Sequence, residues 1–537
     1  MFGRLGVGEG MRRHEEGVPG ENDHPFPGIP MRPLVPRVLS SCLALALAGL
    51  VTTAAQAATV DAVLLENASA AVAQDVLIVL QAKAPKELLR SDGDYLERRR
   101  ALVAMLQATA RESQAELRRW LDAQGIAYRP FWITNSIQAR LTPAQLAQVA
   151  ARGEVAAVAS NAPVAQRLPA TEAVREVAQP LAPEWGVSKI KAPQVWALGF
   201  NGAGVVIGNQ DTGVRWTHAS LKNKYRGWDV VNQVADHNYN WHDSIHAANA
   251  SCPADSPQPC DDNSHGSHTV GTMLGDDGAG NQVGVAPGAK WIGCRNMNAG
   301  NGTPATYNEC AEWFLAPTDL AGANPNPDLA PDVISNSWGC PPAEGCTAIA
   351  GTEVRTAIEN LVSGGIMFVA AAGNDGGACS TIGDAPATLD SVFTIGGSAS
   401  SDIMYSSSSR GPVPVGPGTG ANNKPDVIAP AVSVRSTTIG SDTSYGNKTG
   451  TSMATPHVAG AVAVLMQVNP NLKGDPAAVA AILRSTAVPL TTTTQNCGNV
   501  LPTTFPNPVQ GYGQVDLLAA FNKAEKIFAD NLEAAVP

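Results

Sequence analysis

The sequence predicts an α/β protein in which a parallel β-sheet is flanked by helices, preceded by a smaller α+β domain. Three observations predict it. The chain has 537 residues, more than one ordinary domain holds and enough to bury a sizeable core. From about Glu184 onward, near-continuous apolar runs alternate with helical or Gly-rich segments, the pattern of strands buried on both faces. Upstream, strand-like and helix-like stretches alternate as β-α-β-α-β and end in a Pro-containing stretch without a period. The composition, 44% hydrophobic and 15% charged, is that of a globular chain and not of a disordered one. A net charge of -11 offers no basic field to draw phosphates, which argues against nucleic acid as the main partner.

The first 57 residues read as a leader. Met31 is taken as the true start. Arg32 and Arg37 form a positive region, Val38 to Val51 is mostly apolar, and Ala55-Gln56-Ala57 is an A-x-A cleavage site. The apolar stretch is too short to favour a membrane span, and no other stretch is long and apolar enough. A secreted or periplasmic protein, free of the membrane once the signal is removed, is the expectation.

Residues 58–170 form the smaller domain. "DVLIVLQA" (75–82) is strand-like, rich in Val, Ile and Leu. Residues 94–125 read as one long helix, with Leu102, Leu106, Leu117, Trp120 and Leu121 near one face and Gly125 as its stop. "RPFWITNSIQARL" (129–141) reads as one strand. Thr142 then caps a short helix that has Pro143 at its first position. "GEVAAVASN" (153–161) closes the unit as a strand. A linker is placed at 171–183.

In the second domain, 184–525, five runs read as strands: 204–210, 332–339, 365–374, 391–399 and 425–431. Residues 526–537 are left as a tail. In parallel sheets, sites lie at the carboxyl ends of strands. Asp211, Ser337 and Asn374 end three of these runs.

Nine cysteines include Cys42, which leaves with the leader, so eight remain. No C-x-x-C pair exists, which weakens a zinc site, and an exported chain favours disulfides. Cys252 and Cys260 flank one Pro-rich loop, and Cys340 and Cys346 flank another. Cys294 and Cys310 bracket a Gly/Asn-rich segment. Cys379 and Cys497 pair by elimination.

Three segments carry candidate chemistry: "QDTGV" with Asp211, "HGSHTVG" with His265 and His268, and "GTSMATPHVAG" with Ser452. A serine hydroxyl becomes a useful nucleophile when an imidazole takes its proton, and a carboxylate orients that imidazole. Singly, Asp211 could cap a turn, His265 could be a polar helix-start residue and Ser452 could be an N-cap. The conjunction, in the order Asp, His, Ser, is much less expected by chance.

On these motifs the chain resembles the subtilases, the subtilisin-like serine proteases, over roughly 184–525, and the form with "NPDLAPDVISNSWGC" is similar to the bacillopeptidase F-like branch. The resemblance implies a secreted serine endopeptidase with Asp211 as orienting acid, His265 as base and Ser452 as nucleophile. His265 is taken over His268 because the family's histidine comes first in H-G-x-H. "AAAGND" implies Asn374 as oxyanion donor. Ser337, Trp338, Gly339, Ala372 and Gly373 would line the substrate cleft; Asp375 could modestly favour a basic side chain. Ser452 would start a buried helix, with Pro456 in about its first turn. The first domain is similar to the family's inhibitor-type propeptide, a small ferredoxin-like domain that caps the cleft, with self-cleavage between about 165 and 185. Expected partners are protein or peptide substrates and the chain's own propeptide, acting on a monomer. Catalysis needs no cofactor. Structural calcium is a family feature; the acidic insert with Asp243, Asp255, Asp261 and Asp262 raises it, with no ligands assigned. A catalytically inactive peptide-binding module is the alternative. An esterase with G-x-S-x-G or a metal hydrolase with H-E-x-x-H finds no matching motif.

Overall fold

The computed structural model describes residues 58–67, 72–89, 93–172, 182–342, 346–414 and 424–534. The expected signal peptide and residues 173–181 of the expected linker lie outside the described residues. In the N-terminal domain, strands β1 (Thr59–Val60), β2 (Gln74–Leu80), β3 (Tyr128–Phe131), β4 (Ser136–Leu141) and β5 (Val155–Ser160) form one sheet in the order β1-β5-β2-β4-β3. β2 runs antiparallel to both β4 and β5. From β2 to β5 the elements follow as β-α-β-β-α-β, the ferredoxin-like order.

Two expectations need correction here. The single strand over 129–141 is a hairpin, β3 and β4, whose turn places Asn135 at φ 52, a left-handed conformation that Asn tolerates. The single helix over 94–125 is two, Tyr95–Ser113 and Ala115–Ala123, divided at Gln114. Gln114 is buried and donates its side-chain amide to the Phe131 carbonyl at 3.0 Å, tying the helix break to the hairpin. The helix from Pro143 starts as expected. Thr142 Oγ1 accepts from the Gln145 amide while Gln145 Oε1 accepts from the Thr142 amide at 2.9 Å, a reciprocal cap.

A short strand β6 (Val164–Ala165) leads into the second domain. Its strands are β7 (Val206–Asp211), the pair β8 (Trp228–Asp229) and β9 (Val234–Ala235), β10 (Trp241–Asp243), β11 (Lys290–Arg295), the pair β12 (Met297–Asn298) and β13 (Asn301–Gly302), β14 (Val333–Asn336), β15 (Met367–Ala371), β16 (Phe393–Ser398), β17 (Val427–Pro430), and the pair β18 (Val434–Thr437) and β19 (Tyr445–Lys448). Seven of them form a sheet in the order β10-β11-β7-β14-β15-β16-β17, parallel throughout. The five predicted runs are all in it. β10 and β11 escaped the sequence reading because β11, "KWIGCR", carries two cations. Arg295 is nevertheless fully buried, because Asp243 on β10 and Asp262 supply its carboxylates.

Helices cover both sheet faces. Val270 and Met273 of helix His265–Leu274 and Val458 and Val462 of helix Thr451–Val468 pack on Ile207, Val333 and Val369. On the other face, helices Pro304–Leu315 and Ala348–Ser363 bury Phe314, Ile358 and Leu361 against Ile292, Ile334 and Phe368. Leu102, Leu106, Phe131 and Ile133 of the N-terminal domain belong to that same core. The segment left as a tail from 526 is helical to Ala534, as part of helix Leu517–Ala534. Its anchor is apolar: Leu517, Ala520, Phe521 and Ala524 are buried. No helix among the described residues is long and apolar enough to cross a membrane.

Candidate active site

The chain leaves β7 toward one edge of the sheet, returns in β11, and crosses to the other side in β14. That reversal opens a crevice at the carboxyl ends of these strands. Asp211 is the last residue of β7 and is fully buried. Its carboxylate accepts from the Thr212 amide at 2.7 Å and faces His265 Nδ1 at 2.8 and 2.9 Å. A proton on Nδ1 therefore donates to the carboxylate and leaves Nε2 as an acceptor. Nε2 is buried and has no hydrogen-bond partner.

His268 lies one helical turn on but faces elsewhere. Its Nε2 meets the carbonyls of Val434 at 3.0 Å and Gly446 at 3.1 Å, across the β18–β19 pair. Burial, with Lys448 and His265 nearby, pushes its pKa well below the ordinary histidine range. It is a neutral tie between helix and hairpin.

A residue that sequence reasoning placed elsewhere organises this corner. Asp261 is buried, and its Oδ1 accepts from Thr212 Oγ1 and from the amides of Asn263 and Ser264, each at 2.9 Å. Its Oδ2 accepts from the Ser267 amide at 3.0 Å and Ser267 Oγ at 2.6 Å. It thus gathers donors at the start of the His265 helix, whose first amides lack helical acceptors. Asp243 and Asp262 are turned to Arg295, and Asp255 to His246. These four carboxylates do not converge as a calcium cage requires, and no group of three or more His, Cys, Asp or Glu among the described residues could hold a metal ion.

Ser452 is the second residue of helix Thr451–Val468, nearly all of which is buried. Gly460 lets this helix approach the His265 helix closely: a Cβ there would lie 2.7 Å from the Met273 carbonyl oxygen. Pro456 sits in the helix interior, beyond the expected first turn. It removes the amide that would bond the Ser452 carbonyl four residues back. Ser337 Oγ donates to that carbonyl instead, at 3.1 Å, and Ser452 Oγ donates to the Ser337 carbonyl at 3.2 Å. The serine hydroxyl is therefore engaged at β14's end, with no hydrogen bond to His265 Nε2.

Asn374 follows β15. Its Oδ1 accepts from the Thr451 amide at 2.9 Å and Thr451 Oγ1 at 3.2 Å, which leaves the amide nitrogen's donors for another acceptor. Ser337, Trp338, Gly339, Ala372, Gly373, Asn374 and Ser452 all line one cavity. Trp338 is mostly buried, stacks on Tyr307 with centroids 3.8 Å apart and donates to the Gln210 carbonyl. It is both a core residue and a cleft wall.

The chain's own segment at the end of the N-terminal domain lines this cavity. Val164–Ala165 pair antiparallel with Asn301–Gly302, and the Gln166 amide donates to the Gly300 carbonyl at 3.1 Å. Gly339 engages the Gln166 side-chain amide on both sides, donating to Oε1 and accepting from Nε2. The backbone strand pairing thus comes from β13, which sequence reasoning did not single out, while Ser337 faces Ser452. Further along, Pro169 approaches Gly450 so closely that a Cβ there would stand 2.7 Å from Pro169 Cγ, and Lys448 donates to the Pro169 carbonyl at 2.9 Å.

The eight described cysteines lie in four disulfide pairs, Cys252–Cys260, Cys294–Cys310, Cys340–Cys346 and Cys379–Cys497, with Cα–Cα separations of 5.8, 5.7, 5.2 and 5.4 Å.

Comparison with known proteins agrees with this architecture. Residues 202–513 match the model of the Subtilase family, peptidase S8. Bacillopeptidase F of Bacillus subtilis is 34% identical over 470 residues, covering 84% of this chain and 30% of that protein. Subtilisin E of B. subtilis is 31% identical over 289 residues, 53% of this chain and 61% of its own. Subtilisin DY of Bacillus licheniformis is 34% identical over 294 residues, 54% of this chain and 86% of its own. The chain thus spans under a third of bacillopeptidase F and about three fifths of subtilisin E. With the Asp211–His265 pair and Ser452 set at the crevice of a seven-stranded parallel sheet, and with the family model covering more than half its length, the chain belongs to the subtilase family as a bacillopeptidase F-like member.

Proposed function

We propose that the protein is an exported serine endopeptidase made as a self-processed zymogen. The observation that carries this is the cavity that Ser452 lines at a buried helix N-terminus, with the chain's own extended segment lying across it; that helix packs against the one that carries His265 of the buried Asp211–His265 pair. In this reading His265 Nε2 takes the Ser452 proton as Oγ attacks the peptide carbonyl and later gives it to the leaving amine. Asp211 holds the imidazole with its proton on Nδ1 and stabilises the imidazolium. The Asn374 amide nitrogen and the Ser452 backbone N–H donate to the oxyanion. The helix N-terminus adds its dipole. Rotation of the Ser452 side chain away from the Ser337 carbonyl brings the hydroxyl into play, and a resting hydroxyl that is not yet aligned is common before substrate binds productively.

Residues 58–170 act in this reading as the inhibitory propeptide. Support comes from the shared core and from the polar contacts between domains. Arg99, almost fully buried, donates to the Gly364 carbonyl at 2.7 Å, and Asn360 Nδ2 donates to the Ile133 carbonyl at 2.6 Å. The extent of the match to bacillopeptidase F, 84% of the chain, also reaches beyond the sheet domain alone.

The test is Ser452→Ala. Wild type should hydrolyse peptide substrates and take up a fluorophosphonate at Ser452, and the purified Ser452→Ala precursor should remain one chain with no turnover. Near-wild-type turnover by Ser452→Ala, or efficient processing of it in a protease-free preparation, overturns the reading. A peptide-binding module without activity would show neither turnover nor label in wild type.

A further inference from the structure

The cavity that Ser452 lines contains three charged residues among those described: Arg167, Asp375 and Asp384. Their placement says which side chain the cleft is built to take. The segment crossing the cavity enters as a strand, with Val164 opposite Gly302, Ala165 opposite Asn301 and the Gln166 amide on Gly300. Gln166 commits its side-chain amide to Gly339. Leu168 turns toward Gly300, where an added Cβ would lie 3.3 Å from its Cδ1 and where Asn263, just ahead of His265, is close by. Between them in the chain comes Arg167, which lines the same cavity as Ser452 and the two carboxylates.

Those carboxylates are held differently. Asp384 is half-buried and belongs to a loop fastened to the opposite wall, because the Cys340 amide donates to the Ala385 carbonyl at 2.9 Å. Asp375 is exposed at the mouth, next to Asn374, and accepts from Ser409 Oγ. Other lining residues, among them Ala372, Gly373, Ala385 and Ala387, are small, which leaves room for a long side chain in the cavity. A half-buried carboxylate lining this cavity favours a guanidinium, which it can bind through two parallel hydrogen bonds, and disfavours an acidic side chain.

We propose that this cleft selects arginine, and less strongly lysine, at the residue whose carbonyl is attacked, with Asp384 as the specificity-determining carboxylate, and that its first substrate is the chain's own Arg167–Leu168 bond. This rests on the serine-protease reading above. In the step, Ser452 Oγ bonds to the Arg167 carbonyl carbon and the bond to the Leu168 nitrogen breaks. The serine proton passes through His265 to the Leu168 amine. Water then attacks the acyl-enzyme, restoring the Ser452 hydroxyl and leaving Arg167 as a free carboxylate at the end of the N-terminal domain.

Two measurements test it on the full chain as expressed. Terminal sequencing and intact mass of the freshly processed protein should give Leu168 as the new N-terminus, and Arg167→Glu should slow precursor processing at least tenfold. The processed enzyme, with active sites counted by fluorophosphonate labelling, should be assayed on peptides that differ only in Arg, Lys, Phe, Leu or Glu before the cut. We expect kcat/KM for Arg to exceed that for Phe at least tenfold, and Asp384→Asn to reduce the Arg-to-Phe ratio at least tenfold, with Asp375→Asn reducing it less. A first cut at another bond overturns the processing half. A wild-type preference for Phe or Leu, or an Arg-to-Phe ratio unmoved in Asp384→Asn, overturns the specificity. Wild type that is labelled at Ser452 yet prefers apolar residues refutes only this inference. Wild type that is neither labelled nor active refutes the protease reading and this inference with it.

Discussion

Asp261 shows how much of the candidate site depends on a residue that touches no substrate. Its two oxygens collect five donors from Thr212, Asn263, Ser264 and Ser267, so it links the loop after β7 to the first turn of the His265 helix. Burial raises its pKa, and those hydrogen bonds oppose the rise. Asp261→Ala would strand several buried donors at once, at a cost of about 3 kcal/mol or more. The expected result is a lower denaturant midpoint in a Ser452→Ala background, where self-digestion is absent, together with a fall in kcat larger than any rise in KM in the active enzyme. An unchanged midpoint would mean that the donors find water or other acceptors. Pro456 works by subtraction: by lacking an amide it leaves the Ser452 carbonyl to Ser337.

At the scale of elements, the contact between helix Pro304–Leu315 and the β3–β4 turn carries a pH dependence. Glu312 on that helix accepts the Trp132 amide at 2.6 Å and the Ile133 amide at 3.0 Å through one oxygen, Oε2. Burial is the chief cause that pushes its pKa from 4.5 up to about 8, and the charge of nearby Glu309 adds to it while the two amides and Arg129 oppose it. Glu309 itself is held well below the ordinary carboxylate range: burial opposes this, but His242, His246 and Arg129 outweigh it. The docked state therefore keeps a proton on Glu312 that the undocked, solvated side chain releases. Its contribution to docking is full below about pH 4.5 and is lost as pH rises through about 8. In the proposed zymogen, the N-terminal domain retained after processing should inhibit the enzyme more strongly at pH 5 than at pH 8. Glu312→Gln should flatten that difference, as residual activity of the processed complex at each pH would report. Equal slopes for Glu312→Gln and wild type would assign the dependence to other groups, His246 first among them, whose pKa is raised by Glu309 and Asp255 against its burial.

Across the whole molecule, the disulfides differ most in the loops they close. Cys379–Cys497 spans a sequence separation of 118 and ties the loop after Asn374 to the segment before the last helix, whereas Cys340–Cys346 spans 6. In the chain-entropy picture the long link restricts the unfolded chain by about 5 kcal/mol and the short one by about 2 kcal/mol. Replacing both cysteines of the long link by serine should shorten the half-life of activity on heating more than the same change at Cys340–Cys346. A larger loss from the short pair would show that local support of the cleft wall outweighs chain restriction.

The sequence by itself determined the parallel sheet and pointed to its candidate site, because buried parallel strands must be continuously apolar and the polar residues that end them stand out: Asp211, Ser337 and Asn374. The candidate Asp, His and Ser motifs stood out because the acyl-transfer chemistry proposed for them restricts residue type and the backbone around it. The eight cysteines were legible as disulfide candidates, the short-range ones because turn-rich loops bring their ends together. Tertiary structure alone decided the rest. β11 could be a buried strand only once Asp243 and Asp262 met its Arg295, a pairing that no local pattern records. The β3–β4 hairpin was hidden because Trp132 and Ile133, which form its turn, read as strand residues, yet their amides dock on Glu312 and Ile133 packs in the shared core. Asp261 was grouped with the acidic insert because nothing local shows that it is buried and linked to Thr212, 49 residues earlier. Arg167 and Asp384, far apart in sequence, line one cavity only because the folded path of the chain passes through the cleft.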